Sequence, residues 1–268
     1  MILKFIMFGD VVGRIGRKAL TQAVPKLRKK YKPDLVIANA ENLAHGKGVT
    51  AGTLREVIAA GVNFFTGGNH ILDNKAGLKV FDDPEFKDII IRPANYPGKV
   101  PGSGIKFVQL GAKKILMVSL NGQVFVREGF DSPFLALDRI VHRTAKEKAI
   151  IVVDFHAEAT SEKVAFGYYA DGRVSAVLGT HTHVPTADAK ILPKGTGYIS
   201  DIGMVGEEGS IIGVKREVII NNFVTQIPQM HEYAEHGPCE VSAVYFEIDP
   251  KTKKTTKIKQ LQQIIQVA

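Results

Sequence analysis

The chain has 268 residues, of which 45% are hydrophobic and 23% charged, as is typical of a folded soluble protein and not of a disordered one. Its single cysteine, Cys239, excludes an intrachain disulfide and any cysteine-based zinc or iron–sulfur site. The formal net charge of +8 favours phosphate-bearing partners in general, while the lack of an apolar run near the roughly 18 residues of a membrane span predicts a cytoplasmic protein with no such span.

Strand-like and helix-like runs alternate along the first part of the chain. The predicted elements there are a strand at 2–8, a helix at 17–30, a strand at 35–38, a helix at 50–60 capped by Thr50, and a strand at 63–66. Proline and glycine make residues 92–105 irregular. We expect that stretch, like residues 228–238, to be an interface, a lid or a plain surface loop.

The remaining elements continue the same alternation. They are a strand pair at 106–110 and 115–120, a helix from Ser132 to about Glu147, a strand at 149–155, a helix at 161–170, a strand at 174–178, and terminal strands at 241–248 and 255–267. Repeated strand-then-helix order predicts an α/β fold, and we expect one domain spanning residues 1–268.

Polar side chains follow five of these strands. They are Asp10, the pair Glu41 and Asn42, the pair Asn69 and His70, then His156, and finally His181 with His183. Each has an ordinary explanation alone, such as a turn, a helix cap or a buried core histidine. In α/β sheets, however, ligand sites lie at the carboxyl ends of strands, so we expect these residues to meet in one crevice. The other four histidines, His45, His142, His231 and His236, are expected to be surface or loop residues.

Imidazole, carboxylate and amide together indicate a metal site. Without thiolates, this ligand set suits iron, manganese or zinc. Seven candidate ligands are too many for one tetrahedral ion but suit two ions that share a bridging carboxylate. Two metals roughly 3.5–4 Å apart are typical of enzymes that displace groups at phosphorus.

At these residues the chain resembles the YmdB-like family of bacterial metallophosphoesterases, within the calcineurin-like superfamily. The matching motifs are GDVVGR at 9–14, AEN at 40–42, GNH at 68–70, DFHAEATSEK at 154–163, GTHTH at 179–183 and GYISDIGM at 197–204. Val12 stands where the wider superfamily has a histidine and Glu41 where it has an aspartate, so Asn42 fills the vacated ligand position. The resemblance extends over nearly the whole chain.

The resemblance implies a four-layer α/β/β/α sandwich and a dinuclear site, usually of iron or manganese, with zinc or magnesium as alternatives. By this analogy one ion is held by Asp10, Asn42 and His183, the other by Asn69, His156 and His181, and Glu41 bridges them. His70 is then the acid that protonates the leaving oxygen. The family also suggests a homo-oligomer, a dimer or a tetramer.

The implied activity is hydrolysis of cyclic nucleotides, with 2′,3′-cyclic nucleotides favoured and 3′,5′-cyclic nucleotides and other phosphodiesters as further substrates. Arg14 follows Asp10 closely and is a candidate phosphate contact, although a role in starting the next helix is as good an interpretation. Residues 46–50 depart from the phosphate-loop pattern and indicate a loop beside the site.

The alternative is an RNA- or nucleotide-binding regulatory protein with a structural metal. Two basic runs without acids, at 14–32 and 251–259, favour it, although solvated surface explains them equally. The lack of tryptophan and of a stacking motif counts against single-strand binding.

Overall fold

The computed structural model describes residues 2–268, which form a mixed α/β fold with two six-stranded sheets. The strands are β1 (Leu3–Val11), β2 (Leu35–Asn39), β3 (Phe64–Thr66), β4 (Ile105–Leu110), β5 (Lys113–Asn121), β6 (Ile150–His156), β7 (Ala176–Thr180), β8 (Lys190–Ile191), β9 (Gly197–Ile199), β10 (Met204–Glu207), β11 (Gly237–Ile248) and β12 (Thr255–Val267). The α-helices are α1 (Gly13–Tyr31), α2 (Ala51–Ala59), α3 (Pro133–Thr144), α4 (Thr160–Ala170) and α5 (Arg216–Thr225). Two short 3₁₀ helices lie at Lys75–Phe81 and Ala145–Glu147.

The first sheet has the order β12-β11-β10-β1-β2-β3. β1 is parallel to β2 and, at its end, to β10, while β11 pairs antiparallel with the rest of β1. Helices α1 and α2 connect β1 to β2 and β2 to β3, as parallel neighbours require. The carboxyl ends of β1, β2 and β3 therefore lie together at one edge.

The second sheet has the order β4-β5-β6-β7-β9-β8. Its strands β5, β6, β7 and β9 are parallel, and the register places Asn121 beside His156 and His156 beside Thr180. These residues end their strands, so this sheet also collects its carboxyl ends at one edge.

Three buried apolar clusters join the elements. One contains side chains of both sheets, with Phe5 and Met7 of β1 grouped with Met117 of β5 and Val152 of β6. A second joins α1 and α2 to the opposite face of the first sheet. A third joins α3 and α4 to the opposite face of the second sheet. Strand alternation explains this division, because successive side chains point to opposite faces.

Side-chain caps mark the starts of two α-helices. Ser132 accepts a hydrogen bond from the Leu135 amide at the start of α3, and Thr50 forms a capping box with Thr53 at the start of α2. Helix α1 begins at Gly13 rather than at the predicted residue 17, and α3 ends at Thr144, followed by a separate 3₁₀ turn. Helix α5 and the 3₁₀ helix at Lys75–Phe81 were not predicted. Among the described residues, no helix is both long and apolar enough to cross a bilayer.

Candidate metal centre

The polar residues predicted at strand ends converge where the carboxyl edges of the two sheets meet. Asp10 lies near the end of β1, His156 is the last residue of β6, and the other candidates follow β2, β3 and β7. Asp10, Glu41, Asn42, Asn69 and His156 are all buried. The structure thus brings together residues that lie far apart in the sequence.

The His156 ring is the centre of the tightest group. Its Nε2 lies 2.9 Å from His181 Nδ1, 3.1 Å from Asn69 Oδ1 and 3.2 Å from Glu41 Oε1. Ligands held at about 2.0–2.2 Å around one metal ion lie roughly 3 Å apart, so this spacing suits a single ion. Glu41, His156 and His181 each place one ligand atom within 4.8 Å of the other two, which is close enough for all three to hold one metal ion.

Two further acceptor atoms belong to Asp10 and Asn42. Asp10 Oδ1 and Asn42 Oδ1 are buried and have no hydrogen-bond partner within residues 2–268. The Asn42 Nδ2 group donates to the Gly46 carbonyl oxygen at 2.8 Å, which directs its Oδ1 away from that loop. Buried acceptors without partners are costly, and a cation would satisfy both.

Each of the three histidines has one ring nitrogen held by an oxygen. His156 Nδ1 lies 2.9 Å from Thr180 Oγ1, His181 Nε2 lies 3.1 Å from Glu158 Oε2, and His183 Nδ1 lies 2.9 Å from the Ile212 carbonyl oxygen. A ring held in this way presents its other nitrogen to a metal ion. This is the usual outer support of histidines that bind metal.

Electrostatics also favour positive charge at this point. Burial raises the pKa of Asp10. Burial would raise the pKa of Glu41 too, but the adjacent His156 lowers it to about 2. Burial would lower the pKa of His156, but Glu41 and Asp10 raise it to about 9. Burial and the charge on His156 lower the pKa of His181 to about 3. The carboxylates of Asp10 and Glu41 thus stabilise a positive charge on the group between them, and a bound metal ion would supply such a charge.

Gly68 allows His156 and Glu41 to pack closely against the turn after β3. A Cβ atom at this position would lie 2.1 Å from His156 Cδ2 and 2.3 Å from Glu41 Oε2. Any larger residue would therefore push these side chains out of place. The turn after β3 requires glycine for close packing beside the ring.

His70 lies beside the donor group and not within it. Its backbone N–H donates to Glu41 Oε2 at 3.1 Å, and its ring Nδ1 lies 2.8 Å from Asp73 Oδ2. The ring is partly exposed and lines a cavity of about 300 Å³ together with Glu41, Asn42 and His183. A second groove of about 360 Å³ shares Lys47, His70 and His181 with that cavity.

Arg14 points elsewhere. Its guanidinium is exposed and pairs with Glu235 at 2.8 Å, and the residue lines neither the cavity nor the groove. The structure therefore gives Arg14 a contact with the 228–238 segment in place of a position beside the donor group.

Several residues at the site were not singled out from the sequence. Glu158 holds His181, and Lys47, His231 and Tyr233 line the cavity. His231 is exposed and lies in a loop, as expected, but it faces this cavity as well. Glu158 lies two residues after His156 in a matching motif, and Lys47 lies in the 46–50 loop that was expected beside the site. His231 and Tyr233 lie in the 228–238 stretch, for which an interface, a lid or a surface loop was expected.

A buried ion pair supports the segment that carries His181 and His183. Lys163 Nζ donates to Asp201 Oδ2 at 2.5 Å and to the Thr180 carbonyl oxygen at 2.7 Å, and Asp201 accepts from the Thr182 amide at 3.0 Å. Both histidines have positive φ values, 102° and 64°, which residues other than glycine rarely adopt. The ion pair holds this turn in an otherwise unfavourable conformation.

The chain is similar to known proteins over nearly its whole length. Residues 6–261 match the family model described as YmdB-like protein. The 2′,3′-cyclic-nucleotide 2′-phosphodiesterase of Bacillus subtilis strain 168 is 46% identical over 259 residues, which cover 97% of this chain and 96% of that protein.

Two solved structures are similar as well. A novel phosphatase from Mycoplasma pneumoniae superposes with a TM-score of 0.91 at 36% identity, covering 100% of this chain and 95% of that one. A hypothetical protein from Thermus thermophilus superposes with a TM-score of 0.89 at 39% identity, covering 98% and 99%.

Proposed function

The chain belongs to the YmdB-like family, and on that premise we propose that it is a metal-dependent phosphodiesterase that hydrolyses 2′,3′-cyclic nucleotides. The name of the Bacillus subtilis relative supports the substrate class. The observation that carries the proposal is the convergence of nitrogen and oxygen donor atoms on His156 and Glu41, with the partly exposed His70 beside them. Other phosphodiesters, including 3′,5′-cyclic nucleotides, are secondary substrates in this proposal.

The proposal includes two metal ions. Asp10, Asn42 and His183 would hold one, Asn69, His156 and His181 the other, and Glu41 would serve both. The unpartnered Oδ1 atoms of Asp10 and Asn42 support the first set, and the close spacing around His156 Nε2 supports the second. Iron or manganese suits these nitrogen and oxygen donors best, with zinc or magnesium as alternatives.

The chain's own residues supply the remaining chemistry. Bound metals in such a pair provide a hydroxide nucleophile and neutralise charge on the phosphate oxygens. Asp73 holds Nδ1 of the His70 ring, so Nε2 is the atom that gives a proton to the departing ribose oxygen. Glu158 and Thr180 hold their histidines in place throughout.

The whole chain, residues 1–268, is proposed to be one domain with a four-layer α/β/β/α arrangement, which the three apolar clusters support. We also propose a cytoplasmic protein that forms a homo-oligomer, a dimer or a tetramer. Exposed apolar side chains in and after α5, among them Phe223, Val224 and Met230, support such contacts.

The test is hydrolysis of 2′,3′-cyclic AMP, 3′,5′-cyclic AMP and bis-p-nitrophenyl phosphate, with added Mn²⁺ and with a chelator. His181→Ala should abolish metal-dependent turnover, whereas His142→Ala, a matched change in the last turn of α3, should not. Metal content of each variant is measured in parallel. A folded, metal-loaded wild type without turnover would overturn the proposal, and salt-sensitive binding of RNA by that protein would support the regulatory alternative.

A further inference from the structure

The segment after β5 presents an exposed aromatic ring close to the candidate centre. Phe125 is 84% exposed and has a φ of 63°. Bulky side chains rarely adopt this conformation, and such outliers gather at ligand-binding positions. Packing in the core does not explain this conformation, because the ring is mostly exposed to solvent.

This segment is anchored and not loose. The backbone amides of Gln123 and Val124 donate to the two carboxylate oxygens of Glu162 at 2.9 and 3.2 Å. Glu162 is itself buried in α4. The Gln123 side chain closes the loop by donating to the Phe130 carbonyl oxygen at 2.8 Å. The backbone just before Phe125 is therefore held in place, and the Phe125 ring projects from it into solvent.

Phe125 forms one wall of the second groove. Arg127 and Glu128 of the same segment also line it, as do His70, Asp73 and Lys47 from other parts of the chain. The volume of about 360 Å³ is within the range of small-ligand sites. Because Lys47, His70 and His181 line both the groove and the catalytic cavity, a ligand with its phosphate in the cavity would extend along Phe125.

The charged residues that line the groove limit which part of a ligand can lie there. Lys47 and Arg127 contribute two positive charges, and Asp73 and Glu128 contribute two negative ones. A second phosphate would face both carboxylates, whereas an uncharged heterocycle with polar edges suits a balanced lining. The exposed ring adds the flat apolar surface on which a base can stack.

Resting on the proposed function, we propose that this groove binds the nucleobase of a mononucleotide substrate by stacking on Phe125. The scissile phosphodiester then lies at the metal ligands, and the base lies in the groove against Phe125. Phe125 is in this way a specificity residue, which favours nucleotides over cyclic phosphodiesters without a base.

The kinetic test compares 2′,3′-cyclic AMP with glycerol 1,2-cyclic phosphate, which has a similar five-membered phosphodiester ring and no base. Phe125→Ala should lower the ratio of the two kcat/KM values roughly 5- to 150-fold, the range expected for loss of one stacked base. The loss should appear mainly in KM for the nucleotide, and Phe125→Tyr should restore it. Phe107→Ala, at an exposed phenylalanine of β4 outside both cavities, should leave the ratio unchanged.

A binding test does not depend on turnover. The chain has no tryptophan, so Phe125→Trp places the only tryptophan in the groove, and excitation at its red edge avoids the tyrosines. Adenosine 3′-monophosphate should quench its emission, whereas ribose 5-phosphate should not, and Phe107→Trp should respond to neither.

The two proposals fail separately. An unchanged ratio in Phe125→Ala, or no quenching of Phe125→Trp by the nucleotide, overturns the base site even if the wild type hydrolyses cyclic nucleotides. Quenching without any hydrolysis by the wild type supports the base site and removes the proposed activity.

Discussion

The Thr180 hydroxyl group can donate only one hydrogen bond. The partner that receives it decides how the His156 ring is oriented toward the candidate centre. Its Oγ1 lies 2.7 Å from Asp154 Oδ1 and 2.9 Å from His156 Nδ1. Burial raises the pKa of Asp154 to about 6, so this carboxyl is largely ionised at neutral pH and accepts the hydroxyl proton. Thr180 must then accept from His156 Nδ1–H, which leaves Nε2 as the atom that faces Glu41 and Asn69.

Thr180→Val should therefore weaken metal binding by about 10- to 100-fold, as is typical when an outer partner of a ligating histidine is removed. Thr180→Ser keeps the hydroxyl and should restore binding. A chelator-competition titration with Mn²⁺ measures both. Unchanged affinity in Thr180→Val would show that the hydroxyl does not orient the ring.

His70 should affect turnover and not metal content, because its ring is held by Asp73 and lies beside the donor atoms. We expect His70→Asn to lower kcat on 2′,3′-cyclic AMP by about 10²- to 10⁴-fold, the usual contribution of a general acid. Steady-state kinetics with metal analysis of the same sample checks this. Loss of metal together with activity would make His70 a ligand instead of the acid.

At the scale of elements, the turn after β7 depends on a contact from a different helix. Lys163 of α4 reaches Asp201, which follows β9, and the pair holds the Thr180–Thr182 backbone from both sides. Both side chains are buried, so removal of one leaves an uncompensated charge.

Lys163→Met should lower the free energy of unfolding by about 3–5 kcal/mol, as measured by urea denaturation. Lys215→Met breaks the exposed pair with Glu232 and should have a much smaller effect. Equal effects of the two variants would mean that the buried pair does not hold the turn.

Helices α1 and α5 differ in how strongly a local pattern marks them. Helix α1 has buried residues at helical spacing, such as Ile15, Ala19 and Ala23, which indicates one buried face. Helix α5 buries only Ile219, has no side-chain cap and leaves Ile220 and Phe223 exposed. It has no amphipathic period, so no local pattern predicts it.

At the scale of the whole molecule, the first sheet encloses the only cysteine. Cys239 lies in β11, between β10 and β12, and is completely buried. Burial, with smaller effects of Glu240 and Glu207, raises the pKa of its thiol to about 12. The nucleophilic thiolate is therefore scarce at pH 8, and reagents have no access to it.

The native protein should not react with a disulfide reagent such as Ellman's at pH 8, and one thiol per chain should react in denaturant. Absorbance of the released thiolate measures this. Because the sheet must open to expose Cys239, the labelling rate at intermediate denaturant should follow unfolding. Rapid reaction of the native protein would show that β11 is not held as described.

The sequence by itself determined the alternation of strands and helices and the residue types at the strand ends. Hydrophobic periodicity and helix caps are local, so they can be read within a few residues of each position. Strand ends with Asp, Glu, Asn and His were enough to predict a crevice with metal-binding chemistry. The resemblance supplied the roles of those residues.

Only the tertiary structure decided which atoms meet. The His181 amide and Asp10 carboxylate are 171 residues apart in the chain and 3.0 Å apart in the fold. The same packing turns Arg14 toward Glu235, and it brings Phe125, Lys47 and His70 to one groove. The direction of each of these side chains is fixed by neighbours from distant segments, and no local pattern records such contacts.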